Sequence, residues 1–63
     1  MNTIEILEAI KDAGAKNWQS VANVLEDGET MAALGITDNY QDVVEDLHAY
    51  ALAMVSGGVE LIA

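Results

Sequence analysis

The side chains most able to do chemistry in this chain of 63 residues are its carboxylates. Eleven acidic residues stand against two basic ones, Lys11 and Lys16, and the formal net charge is -9. The acids in the middle and second half of the chain form two clusters. These are Glu26, Asp27 and Glu29, followed by Asp38, Asp42, Glu45 and Asp46. Carboxylates bind metal ions, transfer protons or present negative charge to basic surfaces, and their spacing decides between these roles.

Metal binding is not supported by this spacing. A calcium-binding EF-hand loop has acids or amides at alternate positions, then a Gly, and finally a Glu. Neither the segment 26–29 nor the segment 38–42 follows this order. The chain has no cysteine, and His48 is its only histidine, so carboxylates would have to supply the remaining ligands of any other metal. We therefore expect no metal site and no cofactor.

Catalysis lacks a complete set of side chains. Ser20 and Ser56 are the only serines, and neither lies in a sequence typical of a nucleophile elbow. His48 falls at the border of an apolar helix face, where we expect it to make an ordinary hydrogen bond. We therefore predict that this protein is not an enzyme.

The excess of negative charge points instead to a binding function. Self-repulsion among the acids destabilises a compact chain, yet 52% of the residues are hydrophobic, so the chain should fold. DNA, RNA and anionic lipid would all repel such a protein. No apolar run approaches the ~18 residues of a membrane-spanning helix. We therefore expect a basic protein partner, with no direct binding of nucleic acid and no membrane association.

Four helices are predicted to position these acids within one domain that covers residues 1–63. Asn2 and Asn17 are suited to cap the first two helices, and Glu5 completes a capping box with Asn2. The helices run from Thr3 to about Ala13, from Trp18 to about Glu26, from about Thr30 to Leu34, and from a cap at Thr37 or Asp38 to about Val55. Asp27-Gly28 is expected to end the second helix as a turn. Trp18 is expected to anchor the core.

The fourth helix has the clearest pattern, with apolar residues at the spacing of a helix face. They are Tyr40, Val43, Val44, Leu47, Tyr50, Ala51 and Met54. At 100° per residue, the acids Asp38, Asp42, Glu45 and Asp46 fall in a stripe on the opposite side. Asp38 and Gln41 have the spacing of a second capping box. From Asp38 to Asp46 the stripe extends ~12 Å along the axis, which corresponds to about three or four phosphates of one DNA strand.

The expected fold is all-α: a compact bundle of three to four short helices, with Val59 to Ala63 docked on it as an apolar tail. A core of this size rarely supplies more than ~3–5 kcal/mol of stability. Tight helix packing, self-association or binding to a partner must add to it, so we expect a monomer or a weak homodimer.

The chain resembles two classes of acidic proteins encoded by phages and mobile elements in its small size, acidity, lack of cysteine and compact helical pattern. These are the anti-CRISPR proteins and the DNA-mimic anti-restriction proteins. The resemblance covers the whole chain and adds no motif beyond the acids. It implies an inhibitor whose acidic surface occupies the groove where a host defence complex grips DNA. A type I CRISPR effector in the cytoplasm of the host cell is the target that it favours.

The resemblance implies that the residues of the two acidic clusters bind the partner. Asp42, Glu45 and Asp46 would carry most of the binding to a basic DNA-binding protein, with Asp38 and the 26–29 turn extending the footprint. The alternative is a small protein-interaction or antidote domain that docks through an apolar patch around Leu52, Val55 and Val59–Leu61. A continuous stripe of unpaired carboxylates favours the first function. An apolar patch with the acids scattered elsewhere favours the second.

Overall fold

The computed structural model describes residues 1–61, and within that range the secondary structure is entirely helical. The helices are α1 (Thr3–Asp12), α2 (Trp18–Glu26), α3 (Gly28–Ala33) and α4 (Gln41–Ser56), and a 3-10 turn over Asp38–Tyr40 leads into α4. The expected all-α bundle of short helices is confirmed.

Asparagine side chains begin the first two helices, as predicted. The backbone N–H of Glu5 donates to Asn2 Oδ1 at 2.9 Å, and the backbone N–H of Asn2 donates to Glu5 Oε1 at 3.0 Å, which completes the capping box. The Ser20 N–H donates to Asn17 Oδ1 at 2.8 Å. These bonds satisfy N–H groups that have no partner within the helix.

Glycine ends α3 for a conformational reason. Gly35 has a φ of 79°, in the left-handed region that a side chain disfavours. This conformation lets the N–H of Ile36 reach back to the carbonyl oxygen of Met31 at 3.0 Å, as in a Schellman motif. Gly35 directly follows Leu34, the residue at which the sequence predicts the end of this helix.

Two helix starts differ from the prediction. Helix α3 begins at Gly28, two residues early, because Asp27 caps α3 directly instead of forming a separate turn. The fourth helix begins later than predicted, at Gln41, because Asp38 to Tyr40 form a 3-10 turn. The capping box predicted from Asp38 and Gln41 is wrong, since the residue that precedes α4 is Tyr40 and it makes no side-chain capping bond. Gln41 donates its side-chain N–H to Glu45 Oε1 at 3.2 Å instead.

Helix α2 lies at the centre of the bundle and contacts α1, α3 and α4. Trp18 is 7% exposed, so its role as a core anchor is confirmed. The buried apolar residues form one cluster with contributions from every α-helix. They are Ile6, Ile10, Trp18, Val21, Ala22, Leu25, Met31, Ile36, Leu47 and Ala51.

The apolar face of α4 is largely as predicted, with one exception. Leu47 and Ala51 are buried, and most of the remaining members are half-buried against the core. Tyr50 is 53% exposed, although its ring packs edge-to-face on Trp18 with centroids 5.4 Å apart. Leu61 packs against the core, which supports the docked tail as far as that residue. The last two residues of the predicted tail lie outside the described residues.

Candidate functional site

Helix α4 presents its acids to solvent because its opposite side is held in the core. Leu47 and Ala51 are buried, and Asp42 lies nine residues before Ala51, half a turn away around the helix at 100° per residue. Glu45 and Asp46 flank Asp42 on this outer side, and both are exposed. We call Asp38, Asp42, Glu45 and Asp46 the acidic stripe. All four are exposed, as the sequence predicts.

Among the residues that the structure describes, no cation forms an ion pair with the acidic stripe. Glu45 accepts a hydrogen bond from neutral Gln41, which orients the carboxylate without neutralising it. Among residues 1–61, Lys11 forms an ion pair with Glu8 at 3.6 Å and His48 forms a hydrogen bond with Glu26 at 3.2 Å, and neither contact involves the stripe. A stripe without cations beside it generates a local field that attracts a basic surface.

Asp27 serves the fold more than the surface. Its Oδ1 accepts the N–H groups of Glu29 and Thr30, at 3.1 and 3.3 Å, and its Oδ2 accepts the Thr30 hydroxyl at 2.8 Å. These hydrogen bonds, the one from the Thr30 hydroxyl most of all, lower the pKa of Asp27 below its ordinary value because they favour the ionised form. Asp27 therefore stays charged, but much of its hydrogen-bonding capacity is used at the start of α3.

Glu26, the last residue of α2, contacts α4 through His48. His48 Nε2 lies 3.2 Å from Glu26 Oε2, across 22 positions of sequence. The interpretation of His48 as a boundary residue with an ordinary hydrogen bond is confirmed. Glu26, Glu45 and His48 line one shallow groove between α2 and α4. The fold thus brings two acids together that belong to different clusters in the sequence.

The remaining acids of the two clusters do not line this groove. Glu29 borders an open depression that it shares with Glu26, and Asp38 borders a groove between α3 and the start of α4. Asp42 and Asp46 line none of these depressions and lie on the outer side of α4. All seven acids of the two clusters are exposed.

No arrangement suited to a metal ion occurs among residues 1–61: nowhere do three His, Asp or Glu side chains converge as ligands would. Within the same range, no helix is both long enough and apolar enough to cross a membrane.

The structure also shows an apolar surface groove that the sequence predicted only in part. Ile4 is 70% exposed and Val59 is 49% exposed, and they line an apolar groove together with Tyr50 and Leu61. We call this the α1/α4 groove. Leu52 and Val55, which the sequence assigned to the same apolar patch as Val59, are exposed as expected but lie outside it. Ile4 is the sequence signal for this groove. Ile6 and Ile10 already occupy the core side of α1, so a further apolar residue in the same helix indicates apolar surface outside the core.

No known protein family, curated protein or solved structure is detectably similar to this chain.

Proposed function

We propose that this protein inhibits a DNA-binding complex of host defence by placing its acidic stripe in the groove that receives DNA. The observation that carries this proposal is the stripe itself: four exposed carboxylates with no lysine paired to them among residues 1–61. Three of them lie on α4, which buried Leu47 and Ala51 hold in place, and Asp38 lies in the 3-10 turn before it. A type I CRISPR effector in the host cytoplasm is the target that we propose first, and a restriction enzyme is the next.

Rigidity is what makes such a stripe effective. A disordered acidic tail loses conformational entropy when it docks, whereas carboxylates on a packed helix have lost most of that entropy on folding. Lys and Arg side chains of a DNA-binding groove gain faster encounter and charge complementarity from a fixed array of negative charges. Asp42 and Asp46 lie one turn apart, ~6 Å along the axis, which corresponds to about two phosphate spacings of one strand.

The acids outside α4 contribute unequally to the proposed surface. Glu26 is held toward α4 by His48 and can extend the footprint beside Glu45. Glu29, in the first turn of α3, can extend this footprint further. Asp27 is engaged in capping α3, so its substitution would report on folding as well as on binding. The α4 residues are therefore the sharper test.

The test replaces Asp42, Glu45 and Asp46 together by Lys. All three are exposed, so the variant should fold, and it should lose inhibition of DNA binding by the target complex. The probe is a labelled DNA duplex whose binding to a type I effector, and separately to a restriction enzyme, is measured in competition with the protein. The protein itself should not bind the duplex.

A matched control changes the net charge by the same amount elsewhere. Glu8, Asp12 and Glu60 are also exposed, lie outside the two clusters, and are replaced by Lys in the control variant. It should keep most of its inhibition. Equal inhibition by the two triple variants would contradict the proposal, and retention of full potency by the α4 triple would favour docking through apolar contacts.

A further inference from the structure

The α1/α4 groove is a second surface feature, and none of the acids of the acidic stripe lines it, although Asp46 lies one helical turn before its lining residue Tyr50. Its floor and walls come from Trp18, Leu47 and Met54 together with Ile4 and Leu7 of α1, and its volume is about 470 Å³. A second groove of about 460 Å³ runs beside the end of α1. The two grooves share Lys11 and Leu61, so they form one continuous face.

This face is apolar where it is most exposed. Ile4, Tyr50 and Val59 each leave about half or more of their surface uncovered, although the chain has a buried core elsewhere. Single exposed apolar residues are ordinary on protein surfaces, whereas a contiguous exposed patch marks a site of association. Its residues come from both ends of the chain and from α4, so the patch exists only in the folded protein.

Charge indicates what can cover this face. The two grooves are lined by both lysines of the chain, Lys11 and Lys16, and by three of its acids, Glu8, Asp12 and Glu60. Their formal charge is therefore -1. The other eight of the eleven acidic residues lie elsewhere and carry a formal charge of -8. This face carries little net charge, so a highly acidic molecule can approach it with less local repulsion than it meets at the acidic stripe.

We propose that the α1/α4 face is the interface of a homodimer. A strongly basic partner would be drawn to the acidic stripe, whereas a near-neutral apolar face with charges of both signs fits a second copy of this chain. In a two-fold symmetric pair each residue of the face is used twice, so Lys16 of one protomer can face the acids of its partner. The acidic stripes of both protomers would remain outside the interface. This inference does not depend on the proposed inhibitory function.

The dimer is expected to be weak. The total accessible surface of the chain is 4065 Å², so a standard interface of ~800 Å² per partner would take about a fifth of it. Each protomer also carries a net charge of -9. Repulsion between the distant acids opposes association, and salt screens it over a Debye length of ~10 Å at 0.1 M. Added salt should therefore strengthen the dimer, whereas it would weaken a complex held mainly by opposite charges.

The experiment is sedimentation equilibrium of the full chain over a wide range of concentration, at low and at high salt. The expected average mass rises from that of the 6.7 kDa chain toward twice that value, and the dissociation constant falls several-fold on adding salt. Replacing Ile4 by Asn should raise the dissociation constant roughly tenfold or more, since one apolar contact is removed twice per dimer. Val59→Asn should act in the same direction.

Leu52→Asn is the matched control. Leu52 is 42% exposed and lies on α4 outside the α1/α4 groove, so its replacement should leave the dissociation constant unchanged. Circular dichroism at low concentration should show that all three variants are folded. A monomer at every concentration and salt would overturn the proposal. So would a dimer that is insensitive to Ile4→Asn and Val59→Asn, one that dissociates on adding salt, or a different protein that binds this face of a monomer.

Discussion

Replacement of Leu47 by Ala tests the assignment of the inner face of α4, on which the orientation of the acidic stripe depends. Leu47 is 1% exposed and is among the largest fully buried side chains of the core. If its side chain anchors α4 as the structure shows, the substitution must remove a substantial part of the stability of so small a domain.

The expected loss follows from the atoms removed and the space left behind. Leu to Ala deletes three carbon atoms, which at ~0.8 kcal/mol each amounts to about 2.4 kcal/mol of lost burial. The remaining cavity adds to this cost. Leu47 borders the α1/α4 groove, however, so water can enter part of the space and the added cost is small. We expect a loss of about 2.5–3.5 kcal/mol. A core of this size rarely supplies more than ~3–5 kcal/mol, so the variant should be close to unfolding at room temperature.

The assay is urea unfolding followed by circular dichroism, at a protein concentration low enough that self-association does not contribute. Leu52→Ala is the control because it makes the same chemical change in the same helix. Leu52 is 42% exposed, so its loss should be about 1 kcal/mol or less. A difference of less than about 0.5 kcal/mol between the variants would refute the assigned face of α4 and, with it, the outward orientation of the stripe.

Two further predictions concern the ends of α3. Gly35→Ala should lower stability by about 1–2 kcal/mol in thermal unfolding, because the φ of 79° is unfavourable for a residue with a side chain. Gly28→Ala is the control, because a Cβ at position 28 meets no atom within 4 Å and the backbone there is helical. The stability of this variant should be unchanged or slightly higher, and equal losses in the two variants would show that φ is not the cause. Because the pKa of Asp27 is lower in the folded protein, Asp27 stabilises the fold at neutral pH, and this contribution is lost on acidification below about pH 4. Asp27→Asn keeps an acceptor for the Glu29 and Thr30 N–H groups but cannot titrate, so its stability should fall less steeply below about pH 4, and acid-unfolding curves of equal slope would contradict this.

Local signals in the sequence were sufficient for most of the helices. Asn2 and Asn17 cap α1 and α2 as predicted, since a capping bond joins residues only three positions apart. The burial of Leu47 and the exposure of Asp42 follow from periodicity within one helix. The start of α3 was missed because Asp27 ends α2 and caps α3 at once, and a single residue that serves two helices shows no separate start signal.

The sequence by itself determined that this protein is helical, that it is acidic and that its carboxylates lie outside the core, because these properties depend on composition and on contacts within a helix. Only the tertiary structure decided which residues of different helices meet. Glu26 reaches His48 because α2 packs on α4. Ile4, Tyr50 and Val59 remain exposed because a chain this short has more apolar side chains than its small interior can enclose, and the packing of the helices selects which of them stay outside.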